Sequence, residues 1–148
     1  VDWRYIWLLP FAVLTMLIVA AACALVLAPA NVYARDTMHL LDMAVMGWFW
    51  ATPILYPFGR TSEFLAEQGL LVQLQYLNPA TPVVLTFQRA LYGTDRVMSN
   101  GEVASLVPFH SPPWYLGILA VTAVVWCVLG LLALRVFDRA ETNLAETL

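Results

Sequence analysis

Three long apolar runs constrain this chain more than any other feature of its sequence. The runs at 5–28 and 114–136 hold no charged residue apart from Arg135, and the run at 38–58 holds two ionisable residues near its start. Each run is about as long as the roughly 20 residues with which a helix crosses about 30 Å of hydrocarbon. The predicted fold class is therefore all-α, a polytopic membrane protein with three transmembrane helices and a re-entrant pair of short helices.

Composition excludes several classes of function. Hydrophobic residues make up 61% of the 148-residue chain and charged residues 11%, against about 45–50% and about 25% in soluble domains. The chain has no lysine, so it has no Walker-type nucleotide site, and its net charge of −3 gives no electrostatic footing for nucleic acid. Cys23 and Cys127 both lie inside apolar runs, which is typical of small packing residues.

Aromatic residues stand at the heads of the first and last runs. Trp3, Tyr5 and Trp7 surround the start of the first, and Trp114 and Tyr115 open the last. Such positions are typical of the aromatic belt at a membrane–water interface. We therefore expect both heads to lie at an interface.

The re-entrant pair is predicted between the second and third runs, over 62–93. Asn78 and Pro79 end one helical pattern, and the next, closed by Gly93, has about 11 residues, too few to cross a bilayer. One kinked transmembrane helix over 70–92 is the alternative. It would have to carry three glutamines and one arginine within the membrane.

The predicted organisation is a single membrane domain over 1–148. A connector at 29–37 and a tail at 137–148 fall on one side of the membrane, and a loop at 94–112 falls on the other. Arginines number three on the first side and four on the second, so charge does not orient the chain.

Two groups of residues carry candidate chemistry. His39 and Asp42 are three positions apart on one helical face, where ionisable residues either mark an intramembrane pathway or reach the interface. With Arg35, they define the alternative of a membrane-embedded lipid or sugar transferase. A passive structural membrane subunit is a further alternative.

The second group is aromatic: Trp48, Phe49, Trp50 and Tyr56. These rings are either an interfacial belt with ordinary packing, or a wall on which the flat faces of sugars stack.

Three motifs occur in a fixed order between the apolar runs: NVYARD, WATPILYP and LNPATPVVLTFQRALYG. Their order and spacing resemble the C-terminal half of the permease (transmembrane) subunit of ATP-binding-cassette polysaccharide exporters, which move O-antigen, teichoic acid or galactan. The matching residues are Asn31, Arg35, Asp36, Thr52, Pro53, Tyr56, Pro57, Asn78, Pro79, Thr81, Pro82, Arg89 and Gly93.

The resemblance implies a transport subunit rather than an enzyme. Its expected partners are a cytoplasmic ATPase subunit, a second copy of the permease, a lipid-linked glycan and membrane lipid. ATP and magnesium would bind the ATPase and no cofactor would bind this chain. The resemblance places the chain in the bacterial inner (plasma) membrane, with 29–37 and 137–148 in the cytoplasm. Because the chain opens on Val1 close to an apolar run, we expect it to be a piece of a longer polypeptide.

We expect three kinds of site, none of them catalytic or metal-binding. Trp48, Phe49, Trp50 and Tyr56 are the candidate substrate conduit. Arg35 and Asp36, in the short connector, are the candidate contact with the ATPase. The candidate gate comprises Asn78, Pro79, Thr81, Pro82 and Arg89, and for Arg89 two partners stay open: a carboxylate such as Glu63 or Glu67, or anionic groups on the glycan.

Overall fold

A computed structural model describes residues 2–33, 37–54, 58–67, 72–92, 95–97, 103–105, 107–108 and 110–145. Six α-helices are present there: α1 Trp3–Ile6, α2 Leu9–Tyr33, α3 Thr37–Ala51, α4 Phe58–Glu67, α5 Ala80–Tyr92 and α6 Pro112–Ala145. A 3₁₀ helix spans Val72–Leu77, and β1 (Asp95–Val97) pairs antiparallel with β2 (Val103–Ser105). The all-α class is confirmed, with this short hairpin added inside the predicted loop 94–112.

Among the described residues, two segments are long and apolar enough to cross a membrane, Trp3–Ala28 and Pro112–Arg135. The two helices pack side by side in the same direction. Tyr5 meets Tyr115 at their amino-terminal ends, and Ala22 meets Gly130 further along both. Many of their large apolar side chains face outward, as expected of helices in contact with lipid.

Both long helices extend past the predicted ends of their spans. α2 continues through Pro29 to Tyr33, and α6 continues to Ala145 through most of the predicted tail. A proline removes one hydrogen bond of the helical ladder and bends the turn before it, but does not oblige the helix to stop.

The second predicted span is helical over a shorter stretch. α3 has 15 residues and ends at Ala51, before Pro53, which gives it a length of about 22 Å. This is less than the roughly 30 Å of a bilayer core. α3 therefore ends directly after Trp48, Phe49 and Trp50 of the aromatic group.

α5 is a half-length helix packed between α2 and α6. Its carboxyl-terminal end is held at the start of the chain, where the Asp2 amide donates to the Ala90 carbonyl over 3.0 Å. Nearer its amino-terminal end, Val83 packs in a buried cluster with Ala12 and Leu119. Its 13 residues span about 20 Å. The carboxyl-terminal end of α5 therefore lies beside the amino-terminal ends of the two long helices, and its amino-terminal end lies further along them.

The α2–α6 contact yields a first prediction. A Cβ at Gly130 would lie 3.4 Å from the Ala22 Cβ, so Gly130→Ala fits but Gly130→Leu forces the helices apart. We expect Gly130→Leu to destabilise the protein by about 1–3 kcal/mol, the usual cost of overpacking, seen as a lower midpoint of thermal unfolding in detergent. Gly117→Leu on the same helix is the control, because a Cβ at Gly117 would meet no neighbouring side chain within 4 Å. Equal midpoints for the two leucine variants would contradict this packing.

Candidate functional site

Two of the sequence motifs meet at the side chain of Asn78. The indole N–H of Trp48 donates to Asn78 Oδ1 over 2.7 Å. Asn78 Nδ2 donates to Thr52 Oγ1 over 2.9 Å and to the Ala51 carbonyl over 3.3 Å. Asn78 Oδ1 also accepts from the Ala80 amide over 3.0 Å. One amide group thus links the end of α3 to the start of α5.

Side chains satisfy the backbone carbonyl groups at the end of α3 and just beyond it. The last carbonyls of any α-helix lack partners within the helix. Here Asn78 donates to Ala51, and Gln88 Nε2 donates to the Pro53 carbonyl over 2.9 Å. The Thr52 hydroxyl donates back to the Trp48 carbonyl over 2.8 Å. The break in α3 is therefore closed by side chains from α5 and the turn before it.

The predicted gate residues form the start of α5. The Asn78 carbonyl accepts from the Thr81 amide over 3.0 Å, and Pro79, Thr81 and Pro82 are buried. A proline in the first turn of a helix removes no hydrogen bond that the helix would otherwise make. We call the segment 78–82 the corner.

Arg89, the remaining predicted gate residue, lies at the other end of α5. It is 8% exposed, and its guanidinium carbon sits 4.8 Å from the centroid of the Tyr5 ring. A cation over an aromatic face is attracted by the negative charge density of the ring. The Tyr5 hydroxyl in turn donates to the His110 carbonyl over 2.8 Å. Arg89 therefore contacts a ring at the head of the first long helix, a partner that the sequence did not indicate.

A cluster of aromatic rings joins the heads of the long helices. Tyr5 packs edge-on to Tyr115 at 5.7 Å, and Trp114 contacts both Tyr115 at 5.2 Å and Tyr76 at 5.7 Å. Tyr76 also contacts Phe58 at 5.5 Å. The belt prediction fits Trp3, which is 81% exposed, but Tyr5 is 5% exposed and belongs to the core. The feature of the sequence that could have indicated this contact is that a tyrosine lies at the start of both apolar runs.

The candidate conduit residues do not share one environment. Trp48 is half-buried and bonded to Asn78, whereas Phe49 and Trp50 are exposed and meet edge-on at 6.1 Å. Tyr56, Arg35 and Asp36 lie outside the described residues, so the predictions for them stay predictions.

The ionisable pair of the second apolar run lies on α3. His39 and Asp42 are both exposed on α3. Among the described residues, no three His, Cys, Asp or Glu side chains group in a way that could hold a metal ion.

α2 and α6 are parallel apolar helices that pack against the half-length α5, and α5 is bonded to the end of α3. This arrangement defines an α-helical membrane protein. The chain is similar to the O-antigen export system permease protein RfbA of Myxococcus xanthus, with 32% identity over 91 residues. The matched stretch covers 62% of this chain and 33% of that relative, so the chain aligns with about a third of the relative's length. No family profile and no solved structure matches the chain. The similarity to this relative confirms the predicted resemblance to polysaccharide-export permeases.

The Asn78 bonds yield a second prediction. Asn78→Leu keeps the side-chain size but leaves the Trp48 indole, the Ala51 carbonyl and the Ala80 amide without these partners. These bonds are partly buried, and a polar group left without a partner away from water costs about 1–3 kcal/mol. We therefore expect the largest fall in the thermal unfolding midpoint here. Gln88→Leu, which removes a single observed bond, should have a smaller effect.

Gln73→Leu is the matched control, because Gln73 is exposed on the 3₁₀ helix beside the corner. Its unfolding midpoint should stay close to that of the unmodified protein. A midpoint for Asn78→Leu as high as that of Gln73→Leu would contradict an anchoring role for Asn78.

Proposed function

We propose that this chain is the membrane-embedded portion of a permease subunit that passes a lipid-linked polysaccharide across the bacterial inner membrane, driven by a separate ATPase. The observation that carries the proposal is the corner, an irregular segment before α5 whose Asn78 amide also bonds the end of α3. The similarity to an O-antigen export permease supports the class of cargo.

The direction of the long helices supports the proposed topology. α2 and α6 run parallel, so the chain must return across the membrane an odd number of times between them. If the α3 segment makes that return, the region 62–93 enters and leaves on the same side. A further complete crossing by 70–92 would then make α2 and α6 antiparallel. With the return assigned to the α3 segment, the parallel packing therefore favours a re-entrant pair of helices over a kinked span.

The depth of the corner supports a role as a gate. At Val83, α5 packs in a cluster with Ala12 and Leu119, so the corner lies below the heads of the two long helices. In hydrocarbon, irregular backbone is tolerated where protein or a water-filled cavity surrounds it. We propose that the corner lines the outer half of the pathway and that α5 shifts as a unit when the cargo passes.

The exposed rings on α3 are the best candidates for the conduit wall. Phe49 and Trp50 are more exposed than the half-buried Trp48, and both project from the helix that ends at the corner. Flat aromatic faces give a sliding glycan weak, repeated contacts. Trp48 then serves to anchor the wall through Asn78.

The proposed assembly is a homodimer with two ATPase subunits. α3 carries large apolar side chains on several faces, and Leu40, Met43 and Met46 are among the most exposed in the described part of the chain. Lipid alone or other parts of the permease can cover such faces. We propose that a second copy contributes to this cover, and that ATPase motion enters through Arg35 and Asp36.

A cross-linking experiment tests the gate. In a full-length permease with Cys23 and Cys127 replaced, the pair Ala12→Cys and Val83→Cys would join α5 to α2 at a buried contact. Because α5 is proposed to move, oxidation should reduce ATP-driven export in membrane vesicles at least about tenfold, or about 1.4 kcal/mol in the rate-limiting barrier. A reductant should restore it.

The pair Ala22→Cys and Gly130→Cys is the matched control. It joins the two long helices, and the Cβ separation of 3.4 Å predicted for Gly130 is near the usual spacing across a disulfide. Since α2 and α6 are proposed to move together, this link should leave export nearly unchanged. Full export with α5 linked to α2 would exclude α5 as the gate.

Arg35→Ala tests the proposed contact with the ATPase. If the connector transmits ATPase motion, this variant should lower export several-fold more than it lowers the yield of the assembled complex. The two quantities can be measured on the same membranes, by surface polysaccharide and by co-purification of the ATPase. A parallel loss of both would indicate that Arg35 has only a structural role.

A further inference from the structure

A second site lies outside the corner, at the heads of the long helices. A cleft of about 580 Å³ opens between α4, the 3₁₀ helix, residues 107, 108 and 110, and the start of α6. Its described lining residues are Phe58, Gly59, Ser62, Gln73, Tyr76, Val107, Pro108, His110 and Trp114. Its volume falls within the roughly 300–1,000 Å³ typical of small-molecule sites.

Flat rings dominate the walls of this cleft. His110 stacks on Trp114 with ring centroids 3.9 Å apart and planes inclined by 25°. Tyr76 meets Trp114 nearly perpendicularly at 5.7 Å, so the two rings form adjoining walls. The packing of Trp114 against the buried Tyr115 holds these walls in place before any ligand binds.

Neutral hydrogen-bonding groups lie among the rings. The Ser62 hydroxyl donates to the Gly59 carbonyl over 2.7 Å, which leaves its oxygen able to accept. Gln73 is exposed and offers an amide that both donates and accepts. Burial raises the pKa of the Tyr76 phenol, so this group stays a neutral donor at physiological pH.

This lining selects among ligand classes. Its described residues include no carboxylate, lysine or arginine, so among them a phosphate or a nucleotide would find no fixed countercharge. An acyl chain would leave the amide and hydroxyl groups without partners, at a cost in free energy. A neutral sugar ring has one apolar face to place on an aromatic ring and an edge of hydroxyls for the amide and hydroxyl groups.

We propose that this cleft binds neutral sugar residues of the glycan as it leaves the gate. This inference rests on the proposed function for the identity of the glycan, but binding in the cleft requires neither the ATPase nor transport. The sugar would stack on the outer face of His110, whose other face covers Trp114. Tyr76 and Gln73 line the same cleft.

The test is protection of a cysteine in the cleft. Gln73→Cys, in a full-length permease with Cys23 and Cys127 replaced, is labelled with a hydrophilic maleimide in nanodiscs without ATP. The probe is delipidated surface polysaccharide from the source cells. We expect saturating polysaccharide to slow labelling at least about threefold. Tyr92→Cys, which is exposed at the carboxyl-terminal end of α5 and outside the cleft, should be labelled at an unchanged rate.

Removing one ring of the stack should weaken this protection. His110 is exposed, so His110→Ala should fold normally. Its half-protecting polysaccharide concentration should rise roughly two- to tenfold, as expected for the loss of one ring contact. Unchanged protection in His110→Ala, or no protection of Gln73→Cys at all, would overturn the proposal. Equal protection by decanoate would overturn it as well, because the cleft would then be a lipid site.

Export is measured separately to keep the two proposals distinct. If cells expressing the unmodified permease display the polysaccharide and cells lacking it do not, but the cleft is never protected, the sugar site is wrong and the exporter proposal stands. If display of the polysaccharide does not depend on the permease, the proposed function itself fails.

Discussion

Backbone hydrogen bonding is the constraint on which the rest of this structure depends. A helix that stops within an apolar protein leaves carbonyls that neither lipid nor aliphatic side chains can satisfy. In this chain α3 stops at Ala51, and the amides of Asn78 and Gln88 reach the carbonyls at the break. Trp48, Asn78 in the corner and Gln88 on α5 all take part in the hydrogen bonds around that break.

The second organising element is the aromatic cluster at the heads of the long helices. Tyr5 and Tyr115 pack against one another and each donates its hydroxyl to a carbonyl in the segment 108–110. Arg89 lies over Tyr5, so the outer end of α5 joins the same cluster. α5 is thus held at one end by hydrogen bonds to α3 and at the other by rings. Between these ends Val83 packs in a buried cluster with Ala12 and Leu119.

Much of this architecture could be predicted from the sequence, because it depends on local patterns. Uncharged runs of sufficient length indicate α2 and α6, and the spacing from Pro79 to Gly93 indicates a helix too short to cross a bilayer. The order of the three motifs indicated the class of protein. Each of these signals lies within a few tens of consecutive residues.

The remainder depends on contacts between distant residues. The residues near Trp48 in the sequence do not show that its indole N–H donates to Asn78. From the sequence alone, the aromatic residues of α3 are therefore interpreted as one uniform wall. In the same way, the sequence alone predicts that Tyr5 is a belt residue, and only its contact with Tyr115 shows that it belongs to the core. Gln88 carries no motif, and its bond to the Pro53 carbonyl appears only when α5 is laid against the end of α3.

The bridging amide of Asn78 has a consequence for exchanging segments between related permeases. A chimera joined near Pro57 takes Trp48, Ala51 and Thr52 from one parent and Asn78 from the other. Its halves are compatible only if the first parent supplies an indole donor and a hydroxyl acceptor, and the second supplies an amide at the matching depth. Thr52 and Asn78 would therefore have to be exchanged together, although they lie in different motifs and on opposite sides of the junction.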